Sequence, residues 1–399
     1  MSHSLETEFR QELHHIAHWW IKNTVDEKHG GFVGEITNDN EVRPEANKGI
    51  ILNTRILWFF SEAAIFTKGA EQHAAYASHA QRAYDYLLNH FVDEQHGGVY
   101  WELDAHGKLL NSRKQIYAQA FAIYALASYF KLTGDENALN LAYKLFELIE
   151  MHALDKKYEG YIEAFNGDWS ELDDFRLSPK DLNSPKSMNT HLHVLEAYTN
   201  LYVADKHRQV GDAIKRCLDY FDRFIIDHDN AHLRMFQSMA WEDQSNSISY
   251  GHDIESSWLI WEALESLGES DLKKRWKPLV IKMANTCLQQ AVGEHHEVLD
   301  AYNYKDDVLS EERVWWVQAE ALVGFYTAWH LTRDEKFKRA AEDVWQFIKR
   351  YQKDDKGGEW HWLATLDAPH RGDYKMGFWK APYHNGRAMM EAIKLCAKP

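Results

Sequence analysis

Cysteine is scarce in this chain: only Cys217, Cys287 and Cys396 occur among 399 residues, far apart and without metal-type spacing. That excludes a disulfide framework and a cysteine-built zinc site, and a reducing, cytoplasmic setting is expected. Basic residues are outnumbered, 45 Lys and Arg against 61 Asp and Glu, giving a formal net charge of -16. An acidic body is not attracted to nucleic-acid phosphates or to an anionic membrane surface, so neither is an expected partner. Long apolar runs are missing, and the opening MSHSLETEFRQELHH has no apolar signal core, which argues against a spanning helix or a secretion signal. Proline is rare and no Pro-, Gly- or Ser-rich linker divides the chain, so residues 1–399 are read as one domain. Phosphate-loop and Rossmann glycine patterns, the Gly-x-Ser-x-Gly elbow and HExxH are all absent. Neither a nucleotide cofactor nor a catalytic metal is expected.

What is present in quantity is aromatic, 14% of residues including 16 Trp. Bulky helical cores and sugar-stacking sites both use such residues. A turn motif recurs six times at intervals of about 60 to 75 residues: DEKHGGF, DEQHGGV, DKKYEGY, DHDNAHL, GEHHEVL and DDKGGEW. Alternating stretches such as FVGEI and VYWEL follow and read as short hairpin strands. Between the turns, apolar residues recur at three- and four-residue spacing, as in YAQAFAIYALASYF. Each unit is therefore a turn plus two helices. A lone helix pair cannot bury both sides of its apolar face, so the units must stack, and six of them can close into an all-α (α/α)6 barrel of inner and outer helices.

The second helix of each unit opens with polar residues that a core helix does not need: NTRILWFF, YAQAFAIY, NTHLHVLEAY, GHDIESSWLIW, WWVQAEALVG and YHNGRAMMEA. In a closed ring these openings meet at one end, where helix N-termini favour developing negative charge. Arg55, Tyr117, Asn189, His193, His252, Glu255, Trp316, Glu320, His384 and Arg387 are then expected to line one bowl. His193 and Glu196 stand three apart and share a helix face, as do His252 and Glu255; His191 and His193, two apart, do not. His193 is taken as the inward residue and His191 as its competitor. Imidazole titrates near neutrality, so two of them flanking one carbon can take a proton from one face and return one to the other.

The segments KGIILNTRILWFFS, KSMNTHLHVLEAYTNLY, SYGHDIESSWL, WWVQAEALVGF and WKAPYHNGRAMMEA resemble the corresponding blocks of cellobiose 2-epimerases, within the N-acylglucosamine 2-epimerase superfamily. The resemblance runs over nearly the whole chain. It implies an (α/α)6 barrel and a cofactor-free isomerase that converts a reducing-end glucose to mannose through ring opening and an enediol. By motif, His193 resembles the residue assisting ring opening, and His252 and His384 the two acid/base residues. Arg55 resembles the group holding the oxygen at carbon 1 or 2, with Asn189, Tyr117 and Glu255 as hydroxyl partners and Trp316 and Trp379 as stacking residues. The partner is thus a small-molecule sugar, a mono- or disaccharide, and segment 167–186 is the candidate rim that decides its length. Alternatives are a mannose/glucose 2-epimerase or aldose–ketose isomerase of the same superfamily, an (α/α)6 glycoside hydrolase recruiting Asp253, Glu255 or Glu320, and a non-catalytic sugar-binding protein.

Overall fold

The computed structural model describes residues 4–366 and 371–397. In chain order the helices are α1 (Leu5–Asn23), α2 (Ile50–Phe66), α3 (His73–Tyr86), α4 (Ile116–Thr133), α5 (Glu136–Leu148), α6 (Met188–Ala204), α7 (Arg208–Tyr220), α8 (Tyr250–Leu267), α9 (Ser270–Gln290), α10 (Trp315–Thr332), α11 (Glu335–Phe347) and α12 (His384–Ala397). Even-numbered helices are apolar on nearly every side. In α4 burial is unbroken from Ile116 to Tyr129, the mark of a helix enclosed all round. Odd-numbered helices carry one buried stripe, such as Val210, Ala213, Ile214, Cys217 and Leu218 of α7, with charged residues between. The first set is therefore inside and the second outside. Around the inner ring α2 packs on α4, α4 on α6, α6 on α8, α8 on α10, α10 on α12, and α12 back on α2. Each inner helix is backed by an outer one, α12 by α1. The fold is the (α/α)6 barrel. No helix is long and apolar enough to cross a membrane, among the described residues.

The hairpin strands expected after each turn are mostly single bridges: Val25 with Phe32, Val92 with Val99, Leu154 with Tyr161, Ile226 with Leu233, Val292 with Val298 and Lys353 with Trp360. The reason is competition for the backbone groups. Gln119 takes both the N–H and the carbonyl of Val99, and Gln318 takes both from Val298, so a ladder cannot extend. True pairing is confined to short pieces, the largest with Ala301–Asn303 between Ser247–Ser249 and Val308–Ser310, all antiparallel, Ala301 opposite both Ser249 and Ser310. The doubled glycines also have a steric cause. Gly98 sits at φ +84°, and a Cβ there would meet Gln119 Oε1 at 2.9 Å.

The turn aspartates serve a purpose the motif alone does not reveal. Asp93 accepts from the N–H groups of Gln95 and His96 and from Lys114 Nζ at 2.6 Å, with both side chains fully buried or nearly so. Asp26 with Lys48, Asp155 with Lys186 and Asp354 with Lys375 repeat the arrangement at 2.7 to 2.8 Å. Three of these lysines stand two residues ahead of an inner helix, so each pair ties a turn to the start of the helix it precedes. Removing one partner strands the other charge without water. Asp93→Ala is accordingly expected to destabilise the protein by roughly 3–5 kcal/mol, read from the denaturant midpoint.

Candidate active site

The first two turns of all six inner helices line one cavity of about 430 Å³. Arg55 comes from α2, Tyr117 from α4, Asn189 and His193 from α6, His252 and Glu255 from α8, Trp316 from α10, His384 from α12, and Trp379 from the segment ahead of α12. Nine of the eleven residues expected there are therefore brought together. Residues 177–181 also line it, and Trp315, Trp362 and Asp373, which the sequence did not single out, complete the lining. The rim residues fall inside segment 167–186, whose turn formers and charge gave the signal.

Three imidazoles face this space, and what lies behind each differs. His193 Nδ1 bonds Glu196 at 2.8 Å and His384 Nδ1 bonds Glu320 at 2.6 Å, whereas His252 Nδ1 meets only the Ser249 hydroxyl at 2.7 Å. A carboxylate behind Nδ1 fixes the ring and leaves Nε2 as the basic nitrogen. Burial lowers all three. His252 falls to about 3 by burial and then by His193; His384 falls well below the usual range by burial and then by Arg55 and Arg387. For His193 burial outweighs the opposing pull of Glu196. All three rings are thus neutral in the resting site, and the one that delivers a proton must take it up during turnover. The Trp316 ring lies against both His252 and His384, at centroid distances of 4.8 and 5.6 Å, so these two border the same patch of the cavity.

The opposite wall is cationic and aromatic. Arg55 donates to the Trp379 carbonyl at 2.7 Å and to the Tyr117 hydroxyl at 2.9 Å, and its guanidinium rests on the Phe121 and Tyr383 rings. Its Nε and Asn189 Oδ1 are both buried without a hydrogen-bond partner.

Glu320 and Arg387 were expected in the bowl and lie instead behind it. Arg387 is 2% exposed and joins three carboxylates: Glu196 in a short contact, Glu255 at 3.0 Å and Glu320 at 2.7 Å. These come from α6, α8 and α10, so only ring closure brings them to one cation. Burial pushes Glu196 up, but Arg387 and His193 overcome it and hold the acid at about 2. Burial and then repulsion from Glu320 raise Glu255 well above the carboxylate range; Glu320 is raised too, by burial against the pull of Arg387. Glu255, Glu320 and His384 offer donor atoms within 4.8 Å of one another, as a metal site would. Arg387 already supplies the positive charge that such a set requires. Asp253 lies elsewhere, accepting from His232 Nδ1 at 2.7 Å and from the Leu233 N–H at 3.0 Å.

His191, the competitor of His193, faces away. Its Nε2 accepts the Tyr161 N–H at 2.9 Å and its Nδ1 donates to the Ser187 carbonyl at 2.7 Å. It is the fourth residue of α6; Gln119, Asp253 and Gln318 are fourth in α4, α8 and α10, and all four accept an N–H from the preceding turn. His193 is sixth, the position of Arg55, Glu255 and Glu320. Registering the six openings against one another separates the two histidines without any structure. Burial lowers His191 from 6.5 to about 4, so its ring is neutral in the fold and protonates far more readily once unfolded. Stability from this ring is therefore complete above about pH 6.5 and declines as the pH falls toward 4. His191→Gln, copying Gln119 and Gln318, is expected to retain at least half of the activity and to flatten the fall in Tm between pH 6.5 and 4.

A model of the family described as N-acylglucosamine 2-epimerase matches residues 30–386. The chain belongs to this family. Within it, a cellobiose 2-epimerase of Bacteroides fragilis is 41% identical over 395 residues, covering 98% of this chain and all of that one. A cellobiose 2-epimerase of Ruminococcus albus is 42% identical over 97% of this chain and 98% of its own. The solved cellobiose 2-epimerase of Bacillus thermoamylovorans superposes with a TM-score of 0.92 at 38% identity, covering 98% of each chain. Similarity to a D-mannose isomerase of Marinomonas mediterranea is lower, 21% over 93% of both chains. A family 76 α-mannanase of Bacteroides thetaiotaomicron shares the fold alone, with a TM-score of 0.66 at 11% identity over 96% of this chain and 95% of that one.

Proposed function

We propose that this enzyme reversibly epimerises carbon 2 of the reducing-end glucose in cellobiose and related β-1,4-linked disaccharides, yielding a mannose end. The observation that carries this reading is the convergence of His193, His252 and His384, from three repeats, on one cavity, two of them against a single tryptophan ring. The hydrogen at carbon 2 becomes acidic only when carbon 1 is an aldehyde. His193, backed by ionised Glu196, moves the proton between the carbon 1 hydroxyl and the ring oxygen and so opens the ring. One of His252 and His384 then removes the carbon 2 proton, and the other delivers a proton to the opposite face; which acts first depends on the direction of reaction. Arg55 and the Tyr117 hydroxyl stand where the enediolate oxygens gather charge, and with the helix N-termini they stabilise it. Trp316 and Trp379 supply apolar faces for the sugar.

Hydrolysis fits the same cavity poorly. Glu255 and Glu320 bond the same guanidinium nitrogen, and Asp253 is turned to His232, so these acids do not flank a glycosidic bond. A monosaccharide epimerase or an aldose–ketose isomerase would share the first steps, and the stronger similarity to cellobiose enzymes favours the disaccharide. We place the enzyme in the cytosol, where its three free thiols stay reduced. NMR of the products from cellobiose, lactose, glucose and mannose tests the proposal. An intact disaccharide with a mannose end supports it; free glucose, a ketose as main product, or turnover of monosaccharides alone overturns it.

A further inference from the structure

His252 differs from the other two imidazoles in having no carboxylate behind it, yet the proposed reaction makes it carry a proton in every turnover. If it abstracts while His384 delivers, His384 must take up a proton before it can give one, and each cycle leaves His252 charged. The protons must be redistributed before the next cycle. His193 and His384 have Glu196 and Glu320 at 2.8 and 2.6 Å; the Ser249 hydroxyl on His252 has no comparable basicity.

A second, smaller pocket of about 70 Å³ adjoins the sugar cavity, and Leu177, Asp181, Asn189 and His252 line both. Glu163, 3% exposed and on the stretch that follows the third turn, also lines it. Its Oε2 accepts from Thr190 Oγ1 at 2.8 Å, and the Ser187 hydroxyl and N–H also pull on the carboxyl, while Oε1 is buried without a hydrogen bond of good geometry. A buried carboxylate oxygen left unbonded is costly unless something polar reaches it. The pocket has room for water, and His252, Asn189 and Ser187 give that water the polar partners it needs. The charged groups facing Glu163 are Asp181 and Arg176 of the rim; α6 presents only Ser187, Asn189 and Thr190, and the Met235–Phe236 side is apolar.

Resting on the epimerase reading, we infer that Glu163 is the proton relay of His252, exchanging protons with its imidazole through solvent water in the small pocket. In the abstracting direction the carbon 2–hydrogen electron pair stays with the sugar as enediolate and the proton goes to the imidazole. The imidazolium then passes a proton through water to the Glu163 carboxylate, giving neutral imidazole and a carboxylic acid; in the delivering direction the same acid returns it. Burial holds Glu163 up at about 7 and His252 down at about 3, so the abstracted proton passes readily to the acid, and its return in the delivering direction works against that difference. Glu163 touches no part of the sugar cavity and acts only through His252.

Isotope exchange tests this. Cellobiose and, separately, its mannose-ended epimer are incubated with the enzyme in deuterated water to low conversion, and deuterium at carbon 2 of the unreacted sugar is compared with product formed. The wild type is expected to wash deuterium into the unreacted sugar in the direction where His252 abstracts, because the relay exchanges its proton before it can return. Glu163→Gln should cut that ratio at least threefold in this direction and leave the other unchanged, while Glu163→Asp, which keeps an acid, restores at least half. A mere packing defect slows both directions alike. An unchanged ratio in Glu163→Gln, an equal change in both directions, or no washout by a wild type that makes the mannose end overturns the relay. Failure of the wild type to form any mannose end overturns the epimerase reading instead. Should Glu163→Gln not fold, Thr190→Val, which releases the acid from its anchor, is read in the same way.

Discussion

His252→Ala and His384→Ala are each expected to lower kcat for epimerisation by about 10²–10⁴, the usual contribution of a positioned acid or base. Sugar binding should persist in both, since Arg55, Tyr117 and Trp379 remain on the opposite wall and Trp316 is untouched. The two variants differ in their side effects. His384→Ala also leaves the Glu320 carboxyl without its imidazole, so a loss of stability accompanies the loss of rate; His252→Ala frees only a serine hydroxyl. The double variant should be little worse than either single one, because a proton removed by one ring has no use unless the other returns it. Product formation by NMR with binding by calorimetry separates these effects. Substantial turnover in both single variants rejects the proposed pair.

Arg387→Met is expected to have the largest effect on stability and to abolish activity as well. The cation is buried at the meeting point of three helices and balances Glu196, Glu255 and Glu320. Its removal leaves acids without water or counter-charge, a defect of roughly 3–5 kcal/mol for a single broken pair and more for a hub. Glu196, now held at about 2, would take up a proton and no longer anchor His193 as an anion. Arg387→Lys should rescue little, since an ammonium cannot fork between carboxylates on different helices. Thermal melts give the first quantity; the second is a fall in kcat larger than any rise in KM.

Much of this was open to reading before any coordinates. The turn repeat gave the number of units, and polar residues at helix openings gave the cavity, because an enclosed helix has no other use for Asn189, His193 or His252. What stayed hidden depends on closure. Nothing in the sequence singles out Lys48, Lys114 and Lys186, which the closed ring buries against the turn aspartates. Glu320 reads as a cavity residue because it stands sixth in its helix like Arg55 and His193, and Arg387 because it shares a helix opening with His384, but their side chains are drawn to each other beneath the cavity. The alternating stretches after the turns carry a genuine strand pattern, and glutamine side chains claim the groups a strand would use.

The contact of α12 with α2 has a thermodynamic consequence. An open helical array frays from its outermost members, which have only one neighbour to hold them. Here every helix pair is flanked on both sides, so the loss of any one exposes two apolar faces at once. Calorimetry should accordingly record a single melting peak whose calorimetric and van't Hoff enthalpies agree, with no early loss of any one unit.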